Sequence, residues 1–483
     1  MSRLPQVSRL QGEIAVPGSK SHTIRALLIA AMAGGDGESV LLSPLISHDT
    51  LSARSMIEQF GAVVTEERRP APASPNGERQ EVEPLPDLLW KVRGISPDKF
   101  SIESDQVIEI DVGNSGTSLY LGSAVAALFC RPVRFDGDAS IRKRSAKNLL
   151  CALQDLGVDV RSEGRDFSCP YTVRGPIRGG SINLAAPTSQ YLSALLLALP
   201  LTAKDCHTEV SLDLLNEHPY VDITLEWLKQ QGIQWQNEDY DHYRIPGGQR
   251  YRPFRRLMPA DFSSATFFFC AAAITGSTIR LRGLDPNDTQ GDKQTLDFLQ
   301  RMGCKYSWFQ GPQESQESQG PGRIERLAQD SSCEEAEGNY TLEFSGPDKL
   351  QAADLDLGRT PDALPAMAVA CACAAGTSKI YNVAHARKKE TDRIRCMAEE
   401  LQTLGFSVTE NPDGLTIRGD TAEFLRAPRM RVAHGHHDHR LIMALSLLNL
   451  LAPKDPVILD DTAYAAVTFP GFFENLAYLS GRT

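Results

Sequence analysis

The sequence is short of net positive charge, of paired cysteines and of long apolar runs, and each shortage removes a class of function. With 50 Lys+Arg against 61 Asp+Glu, the net charge is −11. Non-specific attraction to nucleic acid or to an acidic membrane is therefore disfavoured, and an anionic ligand has to be held by a local cluster of cations. The 10 cysteines are scattered, only Cys371 and Cys373 being close neighbours. No CxxC pair marks zinc or redox chemistry, and reduced, mostly buried thiols of a cytoplasmic protein are expected. Residues 1–7 lack the apolar core of a signal peptide, and no uninterrupted apolar run approaches the ~18 residues that a membrane span needs. A Walker A loop is missing too: in Pro17-Gly18-Ser19-Lys20 a serine separates glycine from lysine, and no glycine opens the loop upstream.

What is present is enough apolar material for two cores. A chain of 483 residues with 41% hydrophobic and 23% charged residues folds as a globular protein and exceeds what one core organises. A polar turn running into an almost wholly apolar helix occurs six times, at intervals of roughly 70 to 100 residues, longer than the periods of stacked solenoids. The turns are Pro17 to Arg25, Gly113 to Ser118, Pro187 to Gln190, Ala260 to Ser264, Pro361 to Pro365 and Asp438 to Arg440. Each is followed by a second, amphipathic helix. In the first five copies that helix ends at a glycine (Gly61, Gly157, Gly232, Gly303, Gly405) that opens an alternating strand. The sixth ends instead in a helix over 472–479. Such helices need a shared core, so the repeats point to two α/β domains of three units each. Two segments break the period, 66–88 and 310–338, and read as flexible surface insertions.

Four motifs carry charge or hydrogen-bonding groups of chemical interest. Lys20, Ser21 and Arg25 lie at a helix start, where the macrodipole already favours an anion. Arg387-Lys388-Lys389-Glu390-Thr391-Asp392-Arg393 packs four cations and two carboxylates together. Helical spacing puts Lys389 and Arg393 on one face, and a solvated charged face is the ordinary reading. Asp362 follows Pro361 before the fifth apolar helix, where an N-cap carboxylate is the common explanation and a catalytic one the rarer. His434-Gly435-His436-His437-Asp438-His439 invites a metal, yet four histidines in six residues cannot all face one ion, and no remote ligand set is evident. No metal is expected.

Together, Pro-Gly-Ser-Lys-Ser at 17–21, Gly-Asn-Ser-Gly-Thr at 113–117, Lys-Glu-Thr-Asp-Arg at 389–393 and Asp-His-Arg at 438–440 resemble the EPSP synthase family, in the family's order. These are enolpyruvyl transferases of the shikimate pathway, and the resemblance covers nearly the whole chain outside the two insertions. It implies two similar domains, each three repeats of a βαβαββ-like unit around buried parallel helices, an inside-out α/β barrel. The first domain would comprise 1–18 and 258–483, the second 19–257. The implied reaction joins phosphoenolpyruvate to the 5-hydroxyl of shikimate 3-phosphate and expels phosphate, without metal or cofactor, in a cytoplasmic monomer whose partners are these two small molecules.

By the same resemblance, Lys20, Ser21, Arg25, Lys389 and His385 would contact shikimate 3-phosphate. Thr188 and Ser189 would hold its phosphate, and Gln190 would lie between the substrates. Asp362 would be the base at the 5-hydroxyl and Glu390 the proton relay to the methylene carbon. Lys20, Arg144, Arg393 and Arg440 would grip phosphoenolpyruvate, with Gly116 leaving room for it. The chain departs from the family's pattern at Val467, where a phosphate-contacting Lys is usual, and at Glu217, where a Ser usually meets the acceptor's phosphate. His385 replaces a frequent Asn and Tyr120 a frequent Arg. A lost cation or a gained carboxylate costs on the order of 1–3 kcal/mol of substrate binding if buried. These departures keep open a transferase for another acceptor, or an anion-binding relative without catalysis.

Overall fold

A computed structural model of the chain describes residues 9–35, 37–69, 87–310, 340–426, 431–452 and 455–481. Among the described residues, twelve of the fourteen α-helices fall into six pairs, the first member apolar and the second amphipathic, the short Asp98–Ser101 and Thr421–Arg426 standing apart. In chain order they are α1 (Lys20–Met32), α2 (His48–Phe60), α3 (Gly116–Ala126), α4 (Lys147–Asp155), α5 (Gln190–Ala198), α6 (His218–Gln230), α7 (Phe262–Thr275), α8 (Thr295–Arg301), α9 (Leu364–Cys373), α10 (Arg393–Thr403), α11 (His439–Ser446) and α12 (Phe472–Leu479).

The odd-numbered helices bury nearly every side chain, because their sequences have no polar face to give to water. All but α9, which follows Ala363, start at a polar residue. Ser19, Ser115, Asp261 and Asp438 accept a hydrogen bond from a backbone N–H of the first turn. The even-numbered helices bury one side only, and α2 ends at Gly61, whose φ of 106° is one that L side chains rarely adopt.

Five four-stranded sheets share one order: a parallel pair, then two antiparallel strands. Strands Ile108–Asp111, Val133–Asp136, Tyr171–Arg174 and Asp159–Ser162 are one example. The sixth unit pairs Arg431–Ala433 with Val457–Leu459 in parallel, without the antiparallel strands among the described residues. Strand faces alternate between buried and exposed, so the apolar helices lie inside and one face of each sheet meets water.

The buried residues form two separate clusters, one running from Ile24 to Met258, the other combining Leu10, Ile14 and Val16 with residues from Ala260 to Leu479. The chain passes between them twice. Strand Glu13–Ala15 pairs with Thr278–Arg282 in the second cluster, yet α1 packs in the first. Strand Arg255–Leu257 pairs with Glu38–Leu42 in the first, yet α7 packs in the second. The two crossing segments bond to each other, Ser19 N to Pro259 O at 2.7 Å and Asp261 N to Pro17 O at 2.9 Å. A Cβ on Gly18 would meet the Ser43 carbonyl oxygen at 2.6 Å, so this crossing needs glycine. A further tie runs through His22: Trp227 Nε1 donates to its Nδ1, which leaves its Nε2 to donate to Asp288 at 3.2 Å.

Several local expectations change. Residues 66–69 and 87–88 are not loop but the ends of an antiparallel pair, Val63–Arg69 with Asp87–Arg93, and Gln310 closes a strand; 70–86 and 311–338 lie outside the described residues. After Gly232 the strand waits until Gln236–Glu238. Lys389 and Arg393 do not share a helical face, because the helix begins only at Arg393. Asp392 caps it by accepting from Arg395 N, and Arg387 holds Asp392 at 2.9 Å. Asp362 caps nothing: it sits in a 3-10 turn before α9, and its carboxylate meets cations instead.

Candidate active site between the two buried clusters

The charged segment 387–393 turns inward. Arg393, 1% exposed, donates Nε to Asp438 at 2.8 Å, Nη1 to Asp362 at 2.8 Å and Nη2 to Glu390. Asp438 is wholly buried, caps α11 through Arg440 N and also receives the Thr391 hydroxyl at 3.2 Å. Arg440 Nη2 reaches the other Asp362 oxygen at 3.0 Å, and Lys389 Nζ lies 3.8 Å from Asp362. Burial alone would raise the Asp362 pKa, but Arg440, Lys389, Arg393 and Lys20 outweigh it and hold the carboxyl well below its ordinary range. Glu390 is depressed likewise: burial opposes, and Arg393, Arg144 and Lys20 prevail. Both groups are ionised at neutral pH.

Residues of the first cluster's half face them. Arg144 Nη2 bonds Asn114 at 3.1 Å and Ser140 at 3.3 Å and lies 3.5 Å from Glu390. A Cβ on Gly116 would come within 2.8 Å of Arg144 Nη1. Lys20, at the start of α1 just past the chain crossing, pairs with Asp49 at 3.2 Å. Tyr220 donates its hydroxyl to Asp292 at 2.8 Å and to Asp362 at 3.4 Å, linking the halves. Burial, then the charge of Asp362, pushes the Asp292 carboxyl up to about 7.

At the other end, Thr188 and Ser189 open α5 and direct both hydroxyls and the Ser189 N–H to one acceptor, Glu217, which also pairs with Lys389 from the opposite half. Several buried polar atoms have no protein partner: Arg144 Nε, Gln190 Oε1, His385 Nε2 and His439 Nε2. Burial lowers the His439 pKa to about 3, so that ring is neutral. Arg25 is held by groups of the protein itself. Buried, with its pKa lowered to about 10, it donates to Thr224, Ser21 O, Ser193 and Tyr220 O, bracing α1 against α5 and α6. Ser21 therefore offers its carbonyl to the protein.

The loop histidines line one cavity but pair with different carboxylates: His434 with Asp460, His436 with Glu400 and His437 with Asp461. Among the described residues no group of three or more His, Cys, Asp or Glu is placed to hold a metal ion.

Similarity to known proteins runs along nearly the whole chain. The family model for EPSP synthase (3-phosphoshikimate 1-carboxyvinyltransferase) matches residues 4–476. The chain belongs to the EPSP synthase family. Among curated members, the 3-phosphoshikimate 1-carboxyvinyltransferase of Acetivibrio thermocellus is 39% identical over 97% of this chain and 96% of its own length. That of Ruminiclostridium cellulolyticum is 38% identical over 99% and 98%. The fold matches a solved EPSP synthase of Acinetobacter baumannii with a TM-score of 0.73, at 24% identity over 99% of this chain and 98% of that one.

Within this member of the family, Asp438, Asp49, Asp292 and Tyr220 join the site without having been singled out. Asp438 stood inside a quoted motif, and a count of buried carboxylates needed to balance Arg393 would have found it; Tyr220 lies three positions after Glu217. Asp49 and Asp292 carry no local signal; each opens an ordinary helical turn.

Proposed function

We propose residue roles for the reaction that membership of the family gives this chain: transfer of the enolpyruvyl group of phosphoenolpyruvate to shikimate 3-phosphate, with release of phosphate, in the shikimate pathway. The observation that carries the assignment is the convergence of Lys20, Arg144, Lys389, Arg393 and Arg440 on Asp362 and Glu390 at the boundary of the two clusters. We read the clusters as the two domains, about 19–257 and 1–18 with 258–483, and the boundary as the substrate cleft.

Asp362, held ionised, takes the proton of the acceptor's 5-hydroxyl as its oxygen adds to C2 of phosphoenolpyruvate, and Asp362 returns to its ionised state as that proton leaves with the expelled phosphate. Glu390 supplies the proton that turns the methylene into a methyl group, then recovers it as the C–O bond to phosphate breaks and the double bond returns. Glu390 has to gain a proton for this. An incoming anion beside Arg393 and Arg144 offsets the cations that keep its pKa low, so substrate binding itself prepares the acid. Arg393 and Arg440 suit the enolpyruvate carboxylate, since a guanidinium fork meets a carboxylate with two parallel bonds. Arg144 and Lys20 take its phosphate. Thr188, Ser189, Gln190, His385, Lys389, Ser21 and Arg25 serve the acceptor, and Arg25 also braces α1 against α5 and α6. The protein works as a cytoplasmic monomer. Among the described residues no helix is long and apolar enough to cross a membrane.

The test is phosphate release from phosphoenolpyruvate with shikimate 3-phosphate as acceptor. Steady release supports the reading; binding without release at high enzyme concentration, or release only with a different acceptor, refutes it.

A further inference from the structure

Glu217 occupies the donors that the acceptor-side assignment above gives to the acceptor's phosphate. It precedes α6 with a φ of 61°, a conformation that non-glycine residues seldom take, and it is 2% exposed. Its Oε2 accepts from Ser189 Oγ at 3.1 Å, Thr188 Oγ1 at 3.3 Å and Ser189 N at 3.4 Å, and its Oε1 pairs with Lys389 Nζ from the opposite half. Two hydroxyls, a backbone N–H at a helix start and an ammonium group form a donor set suited to a tetrahedral oxyanion. Here all four point at the protein's own carboxylate.

We propose that Glu217 is an internal competitor of the acceptor's phosphate: the two anions share one set of donors, and the phosphate binds by displacing the carboxylate. The inference rests on the acceptor-side assignment above. It makes Glu217 a specificity-determining residue. An acceptor must be anionic at this position to dislodge a carboxylate held by four donors, and its affinity is lowered by the competition. Displacement also releases Lys389, which then has the phosphate as well as Asp362, 3.8 Å away, as its partners.

Calorimetry on the full-length protein tests this with shikimate 3-phosphate, inorganic phosphate and unphosphorylated shikimate as probes. Glu217→Asn removes the charge with a residue that tolerates the left-handed backbone; Glu217→Gln removes the charge alone. Shikimate 3-phosphate and inorganic phosphate should bind at least tenfold tighter to Glu217→Asn than to the unaltered protein, with Glu217→Gln between them and shikimate unchanged within twofold. Should the Asn variant fail to melt cooperatively, the Gln variant decides. Equal or weaker phosphate binding in the folded variants overturns the proposal, as does unaltered protein that binds shikimate as tightly as its phosphate. Ser189→Ala separates the two levels of the argument. If it leaves shikimate 3-phosphate affinity untouched, the acceptor-side assignment fails. If it weakens binding while the Glu217 variants change nothing, only the competition fails.

Discussion

At one end of the cleft the donors Thr188, Ser189 and Lys389 all meet a single carboxylate, Glu217; at the other, one guanidinium, Arg393, meets three carboxylates, Asp362, Glu390 and Asp438. The first arrangement has one buried anion and a surplus of donors, so removing the anion frees groups that a ligand or water can use. The second gathers three anions on one cation, so removing the cation strands Asp438, which pairs with no other Lys or Arg among the described residues, and leaves Asp362 to Arg440 and Lys389 and Glu390 to Arg144 alone at close range. Buried charge is costly only where it is left unpaired. The two ends should therefore respond to mutation with opposite signs.

The comparison breaks most visibly at Arg393. Arg393→Met should lower unfolding stability by about 3–5 kcal/mol, because Asp362, Glu390 and Asp438 lose their shared partner. A urea titration reads this directly, and a loss below about 1 kcal/mol would mean the three carboxylates are solvated. Next come Asp362→Asn and Glu390→Gln, expected to lower kcat by about 10²–10⁴ while far-UV circular dichroism is unchanged; undiminished turnover would refute the proton-transfer roles.

A third difference lies in pH. Asp292 has a folded pKa of about 7, above the ordinary 3.8, so the folded protein holds the extra proton between these values. Its contribution to stability is present below the ordinary value and lost as pH rises towards 7, with a slope of at most about 1.4 kcal/mol per pH unit. Asp362 and Glu390, both depressed, contribute above the ordinary carboxylate range and lose that contribution only as acid reaches their lowered pKa values. Denaturant midpoints from pH 4 to 8 should thus fall less steeply in Asp292→Asn than in the unaltered protein, and identical profiles would contradict the raised pKa. The smallest effect is expected at Gly116. The added Cβ of Gly116→Ala crowds the far end of the Arg144 side chain, which can swing aside, and reaches Tyr120 at an ordinary contact distance of 3.7 Å. Stability should change by less than about 0.5 kcal/mol, while the KM for phosphoenolpyruvate rises severalfold; an unchanged KM would detach Arg144 from that substrate.

Much of the architecture was legible because it is local. Ser19, Ser115 and Asp261 announce helix starts by their chemistry, Gly61 a helix end by its backbone freedom, and the unbroken apolar runs after each start have no stable place except inside. The ordinary readings of Asp362 as a cap and of Lys389 with Arg393 as one helical face failed for one reason: both judged a charged residue by its nearest neighbours. Asp392 took the cap, and the helix started four residues later than the spacing suggested. Arg25 was legible as a buried cation only once Thr224, Ser193 and Tyr220, from two other helices, closed around it.

By itself the sequence determined the six-fold repetition, the inner and outer helices, the strand alternation and, through four short motifs, the family. Those features depend on hydrogen bonds and side-chain periodicity over a few residues, which the order of residues specifies directly. The tertiary structure alone decided which charges meet. Lys389 and Glu217 are 172 positions apart and Arg393 and Asp438 are 45 apart. An ion pair acts through space at a few ångströms, so its partners are set by where the two halves of the chain come together.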